Sequence, residues 1–144
     1  MKSKKRSAAS SKSRQLEERT LFVDRSLGRH YVADALRKAG ALVEVHDTHF
    51  QTNAPDEEWL REVGRKNWIV LTKDARIRHR PNELSALKEA RVVAVVLTAG
   101  NLTGPQMANV FVKALRAIQR RAGTARPPAL FTFGRDGKLK PQKL

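Results

Sequence analysis

The chain has 144 residues, a formal net charge of +15, 40% hydrophobic residues and no cysteine. That length and apolar content suit one domain with tails, and the missing thiols exclude disulfides and thiolate metal sites. No apolar run nears the roughly 20 residues a membrane helix needs, and no apolar stretch follows the basic N-terminus as in a secretory signal, so the expected place is the cytoplasm, off the membrane.

The charge is unevenly spread. Residues 1–19 carry seven Lys/Arg and two Glu, residues 20–112 thirteen basic and eleven acidic residues, and residues 113–144 nine basic residues and Asp136. A nearly neutral middle with basic ends favours a polyanion, and nucleic acid is the commonest one. The alternative is that such ends only aid solubility.

Residues 1–14 are Lys, Ser, Arg and Ala without periodicity, and the first 19 residues are expected to form a disordered basic tail. A domain over residues 20–122 follows. Thr20–Val23 is a first strand, and Val32, Ala35, Leu36 and Ala39 recur at helical spacing up to Gly40. Leu42–Val45 is a second strand, with a polar loop after it that includes His46 to His49. Pro55 and Asp56 open a helix with Trp59, Leu60 and Val63 on one face and Gly64 at its end.

Trp68–Thr72 is a third strand, apolar enough to be buried on both faces. Lys73–Pro81 reads as a basic loop. Asn82 reads as the N-cap of a helix bearing Leu84, Leu87 and Ala90. Val92–Leu97 is a fourth strand, and Pro105 starts the longest helix, with Met107, Val110, Phe111, Ala114, Leu115 and Ile118 as its apolar face. Residues 123–144 are expected to form a basic strand or hairpin extension. Four alternations of strand and helix predict an α/β class fold, a three-layer sandwich around a mainly parallel sheet.

Two of these strands run onto an acid: Leu21-Phe22-Val23-Asp24 and Val70-Leu71-Thr72-Lys73-Asp74. Parallel sheets place such acids at their carboxyl edge, where sites collect. Asp56 and Glu57 open the helix between them. Carboxylates brought close repel one another, and a hard cation such as Mg²⁺ or Mn²⁺ relieves that repulsion. The candidate catalytic residues are therefore Asp24, Asp56, Glu57 and Asp74, with Asp24, Asp56 and Asp74 as metal ligands; Asp56 and Glu57 stay open as the second acid. Each has a plainer reading, as a turn former or as a favourable charge at a helix start.

Lys73, Arg76, Arg78 and Arg80 adjoin Asp74 and would hold a phosphodiester backbone, unless they are a solvated loop. Thr98 and Asn101 could add polar support at the same sheet edge, or simply make a strand-to-helix turn. The four histidines form no metal spacing, Ser26 has no His–Asp partners for a triad, and Gly100-Asn101-Leu102-Thr103-Gly104 lacks the Lys-Ser/Thr of a P-loop.

These stretches resemble the PIN-like nucleases, in the branch that includes VapC-type toxins. The resemblance rests on Phe22–Gly28, Pro55–Leu60, Val70–Asp74 and Val96–Leu102, in that order and spacing. It implies a parallel sheet flanked by helices, Mg²⁺ or Mn²⁺ held by clustered acids, and endonucleolytic cleavage of RNA. It also implies an antitoxin protein as partner and leaves a homodimer open. The chain departs from the pattern at the fourth acid that many relatives carry. Ala75, Arg76, Ile77 and Arg78 follow Asp74, and the loop after the fourth strand offers Thr98 and Asn101. The rival reading is a non-catalytic nucleic-acid-binding module on the same fold. A phosphoryl-transfer receiver fits less well, because Asp24 has no adjacent acid.

Overall fold

The computed structural model describes residues 19–74 and 76–144. Residues 1–18 of the expected N-terminal tail, residues 1–19, lie outside them. Arg19 belongs to the folded part: its guanidinium donates to the Asn67 carbonyl and side-chain oxygens and to the carbonyls of Ala122 and Gly123.

The elements run β1 (Leu21–Val23), α1 (Tyr31–Lys38), β2 (Val43–Val45), α2 (His46–His49), α3 (Asp56–Arg65), β3 (Ile69–Thr72), α4 (Arg76–His79), α5 (Pro81–Ala90), β4 (Val93–Leu97), α6 (Gly104–Ala117), β5 (Ala129–Phe133) and β6 (Lys140–Gln142). The six strands form one sheet in the order β2-β1-β3-β4-β5-β6. All pairs are parallel except β5 with β6. The α/β sandwich read from the sequence is therefore the fold.

Period-two alternation divides each central strand between two faces. Leu21, Val23, Ile69, Leu71, Val93, Val95 and Leu97 pack with Val32 and Leu36 of α1 and with Phe111, Ala114 and Leu115 of α6. Phe22, Val70, Ala94 and Val96 face the other way, onto Trp59, Leu60 and Val63 of α3 and Leu87 of α5. The strand placed in the C-terminal extension is part of the sheet: Leu130 and Phe133 are buried, and Phe133 meets Phe111 edge-on.

Three local readings need correction. Gly64 does not end α3, which continues to Arg65. Its missing side chain serves packing, since a Cβ there would stand 2.0 Å from the carbonyl oxygen of Ala90. The basic loop contains the helical turn α4, pinned by buried Ile77, and α5 begins at Pro81 with Arg80, not Asn82, as its cap residue. The His46–His49 segment is also helical rather than a loop. His46 is buried within an aromatic cluster of Phe22, Phe50 and Trp59, which a side chain with an apolar ring can join.

Candidate active site

Chain connection leaves β1 for β2 on one side, then crosses to β3 on the other. That is a topological switch point, where the carboxyl ends of neighbouring strands open a crevice. β1 and β3 pair in register through Val23 and Leu71. The residues that follow them, Asp24 and Thr72 to Asp74, are thereby set side by side.

Asp24 is half-buried. Its Oδ2 accepts from the Thr72 hydroxyl at 2.7 Å, the Ser26 hydroxyl at 2.7 Å and the Ser26 amide at 3.4 Å. The two hydroxyls stand 3.0 Å apart. Each accepts in turn from the backbone: Lys73 N–H donates to Ser26 Oγ at 3.1 Å, and Asp74 N–H to Thr72 Oγ1 at 3.0 Å. Amide, hydroxyl and carboxylate thus form two short relays that end on one oxygen. Such chains polarise one another and fix the plane of the carboxylate. Thr72 is 1% exposed, so this link is made inside the protein.

Asp74 is held differently. Arg76 closes on it through its backbone N–H, 3.0 Å from Oδ1, and through its guanidinium, with Nε 2.9 Å from Oδ1 and Nη2 2.5 Å from Oδ2. This fork holds the Asp74 carboxyl below the usual carboxylate range, despite partial burial that acts in the opposite sense.

Asp56 stands first in α3, and its Oδ1 accepts from the indole of buried Trp59 at 3.0 Å. The Trp59 ring stacks on Phe22 of β1, so the aromatic core positions the start of the helix. Asp56 and exposed Glu57 share a cleft of about 460 Å³ with Arg80, Asn82 and Glu83.

Glu83 is the residue that sequence reasoning missed. Burial is the main cause that pushes its carboxyl above the ordinary range, and the charges of Asp56 and Asp74 add to the effect against Arg76 and Arg80. Arg76 feels the negative charge of Asp74, Glu83 and Asp56 together. Glu83 thus stands with Asp56 and Asp74 and supplies an acid that the residues directly after Asp74 lack. Its sequence signal was an acid in the first turn of a helix, which reads equally well as a complement to the helix dipole.

The remaining candidates fall into two groups. Arg76 grips Asp74 and Arg80 lines the cleft of Asp56 and Glu83, while Lys73 is exposed and Arg78 half-buried in the same segment. Thr98 and Asn101 do not join the acids. Thr98 directly follows β4 and donates its hydroxyl to the Phe133 carbonyl of β5 at 3.2 Å. Asn101 occupies the left-handed region at φ 58°, which a short polar side chain tolerates in a turn.

The donor set consists of carboxylates and hydroxyls, which suits a hard divalent cation. In this arrangement the guanidinium of Arg76 occupies Asp74. Among the described residues no three His or carboxylate side chains converge closely enough to share one ion. The donor types suit such a cation in kind.

The family described as PIN like domain matches residues 20–99. A protein of Mycobacterium tuberculosis (strain ATCC 25618 / H37Rv) named "Putative ribonuclease VapC45" is 30% identical over 106 residues, covering 71% of this chain and 77% of that protein. No solved structure matches the chain. The family match runs from the residue before β1 to the loop after β4 and takes in Asp24, Asp56, Asp74 and Glu83: the chain belongs to the PIN-like domain family.

Proposed function

We propose that this chain is an endoribonuclease acting with Mg²⁺ or Mn²⁺, and that it is the toxin of a toxin–antitoxin pair with an antitoxin protein as its partner. The observation that carries the reading is the hydrogen-bonded link from Asp24 through Thr72 to the Asp74 backbone at the sheet's switch point. The name of the mycobacterial relative supports the same reading.

Asp24, Asp74 and one of Asp56 and Glu57 would hold the cation. When bound, it would supply an activated water and offset charge building on the phosphate. The hydroxyls of Ser26 and Thr72 hold Asp24 in orientation by donating to its Oδ2. Lys73, Arg78 and Arg80 bind neighbouring phosphates of the RNA backbone. Arg76 sits where it can exchange Asp74 for a phosphate oxygen, since a guanidinium forks equally well onto either anion.

The test is cleavage of a structured RNA with no divalent ion, with Mg²⁺ and with Mn²⁺, alongside Asp24→Asn. The reading requires metal-dependent cleavage that the variant loses while still binding RNA. A second reading, a binding module without turnover, draws on the Arg76 fork that neutralises Asp74. Tight RNA binding with no cleavage under any of the three conditions would establish it in place of the first.

A further inference from the structure

The carboxyl edge of the sheet continues past the acids. β4 runs out into Thr98, and β5 into Gly134 and Arg135. β6 returns antiparallel, with Lys140 opposite Thr132. These ends wall an open groove of about 510 Å³. At a strand spacing of about 4.8 Å, the end of β5 lies roughly 10 Å from the end of β3 along the same edge.

The groove carries two cations against one acid. Arg135 and Lys140 are exposed, and among the described residues neither enters an ion pair. Arg25, Arg65 and Arg76, by contrast, pair with Asp47, Glu62 and Asp74. The one acid lining the groove, Asp136, accepts from Lys138 N–H at 3.0 Å and so closes its own turn. The floor is also bare: a Cβ on Gly134 would meet only the Thr98 hydroxyl, at 3.8 Å, and one on Gly100 would meet nothing within 4 Å. Two cations without ion-pair partners beside bare glycine backbone suit a phosphodiester, and the groove is open to solvent along its length.

We propose that the groove between the ends of β4, β5 and β6 is a second phosphate subsite for RNA. An RNA strand held at the acids runs along the carboxyl edge across Thr98 and places a phosphate between Arg135 and Lys140. This rests on the reading of the acid edge as the cleavage site.

The test measures RNA binding by the full chain without divalent ions, so that nothing is cut. Labelled single strands of about 3 and about 12 nucleotides are compared for wild type, Arg135→Ala/Lys140→Ala and Lys88→Ala/Arg91→Ala. The last pair removes equal charge near the end of α5, away from the groove. All four side chains are exposed, and melting curves check that each variant folds.

The groove variant should weaken the long strand about tenfold. It should also lower the slope of log affinity against log salt by about 0.7, because the one phosphate that the pair no longer neutralises takes roughly that much off the slope for a single strand. The short strand should bind as before. Unchanged affinity for the long strand overturns the proposal. So does equal weakening of both strands, or a loss matched by the α5 pair. Cleavage by wild type with Mg²⁺ or Mn²⁺ is scored separately. If it is absent while length-dependent binding holds, the cleavage reading fails and the subsite stands. If it is present while the groove variant binds like wild type, only the subsite fails.

Discussion

The two ends of the carboxyl edge are built on opposite plans. At β1 and β3 the acids are tied down: two hydroxyls, each held by a backbone amide, donate to Asp24 Oδ2, and a guanidinium fork holds Asp74. At β4 and β5 the cations Arg135 and Lys140 stand free over bare backbone. The difference matches two tasks. Chemistry at phosphorus needs groups fixed in place before substrate arrives, because misplacement by an ångström is costly. Holding a flexible polyanion needs charge at the right spacing and tolerates motion.

The largest expected effects lie at the fixed end. Asp24→Asn and Asp74→Asn should bring cleavage to background with RNA affinity retained, read by single-turnover cleavage beside a binding titration. If either variant turns over at near the wild-type rate, that carboxylate is not part of the machinery. Thr72→Val comes next. It removes the donor to Asp24 and the acceptor for Asp74 N–H, so turnover should fall about 10- to 100-fold, as for other residues that orient the groups doing the chemistry. Unfolding in urea should show about 1–3 kcal/mol less stability, from buried polar groups left without partners.

Smaller effects belong to the cationic parts. Arg78→Ala should weaken RNA binding several-fold for all sequences alike and leave kcat unchanged, because phosphate contacts carry little base information. A selective loss for one sequence would instead make Arg78 a base reader. The smallest effect concerns the fork on Asp74. Its folded pKa lies below its unfolded value, so the pair adds stability above the unfolded pKa of about 3.9 that is lost as pH falls through the folded value. Arg76→Gln should remove that contribution, and its urea midpoint should be lower at neutral pH and converge on wild type in acid. Both groups are partly exposed, so the difference should be no more than about 1 kcal/mol.

Most of the fold was legible because it follows local periods. Leu21–Val23, Ile69–Thr72 and Val93–Leu97 are apolar runs, and Trp59, Leu60 and Val63 recur at helical spacing. Asp24 and Asp74 were legible as acids that end such runs. The features that were missed depend on contacts between distant segments. The role of Thr72 follows from the register that sets Val23 beside Leu71, and no window of sequence contains both strands. Glu83 looked like a helix start until α5 settled beside α3. His46 read as polar until three aromatic rings enclosed it.

Gly64 has a consequence at the far end of its helix. The carbonyl of Ala90 occupies the space where a side chain at position 64 would begin, so α3 and α5 touch backbone to backbone there. Asp56 lies eight residues earlier in α3, about 12 Å along the axis, and Glu83 rides at the start of α5. The contact works as a hinge pin for a pair of tongs, with the two acids at the tips. Even a methyl group at position 64 would spread the arms and change the gap between two carboxylates it never touches. Part of the geometry of this acidic edge is therefore written in a residue with no side chain, and any substitution there must be matched by a change in the α5–β4 turn.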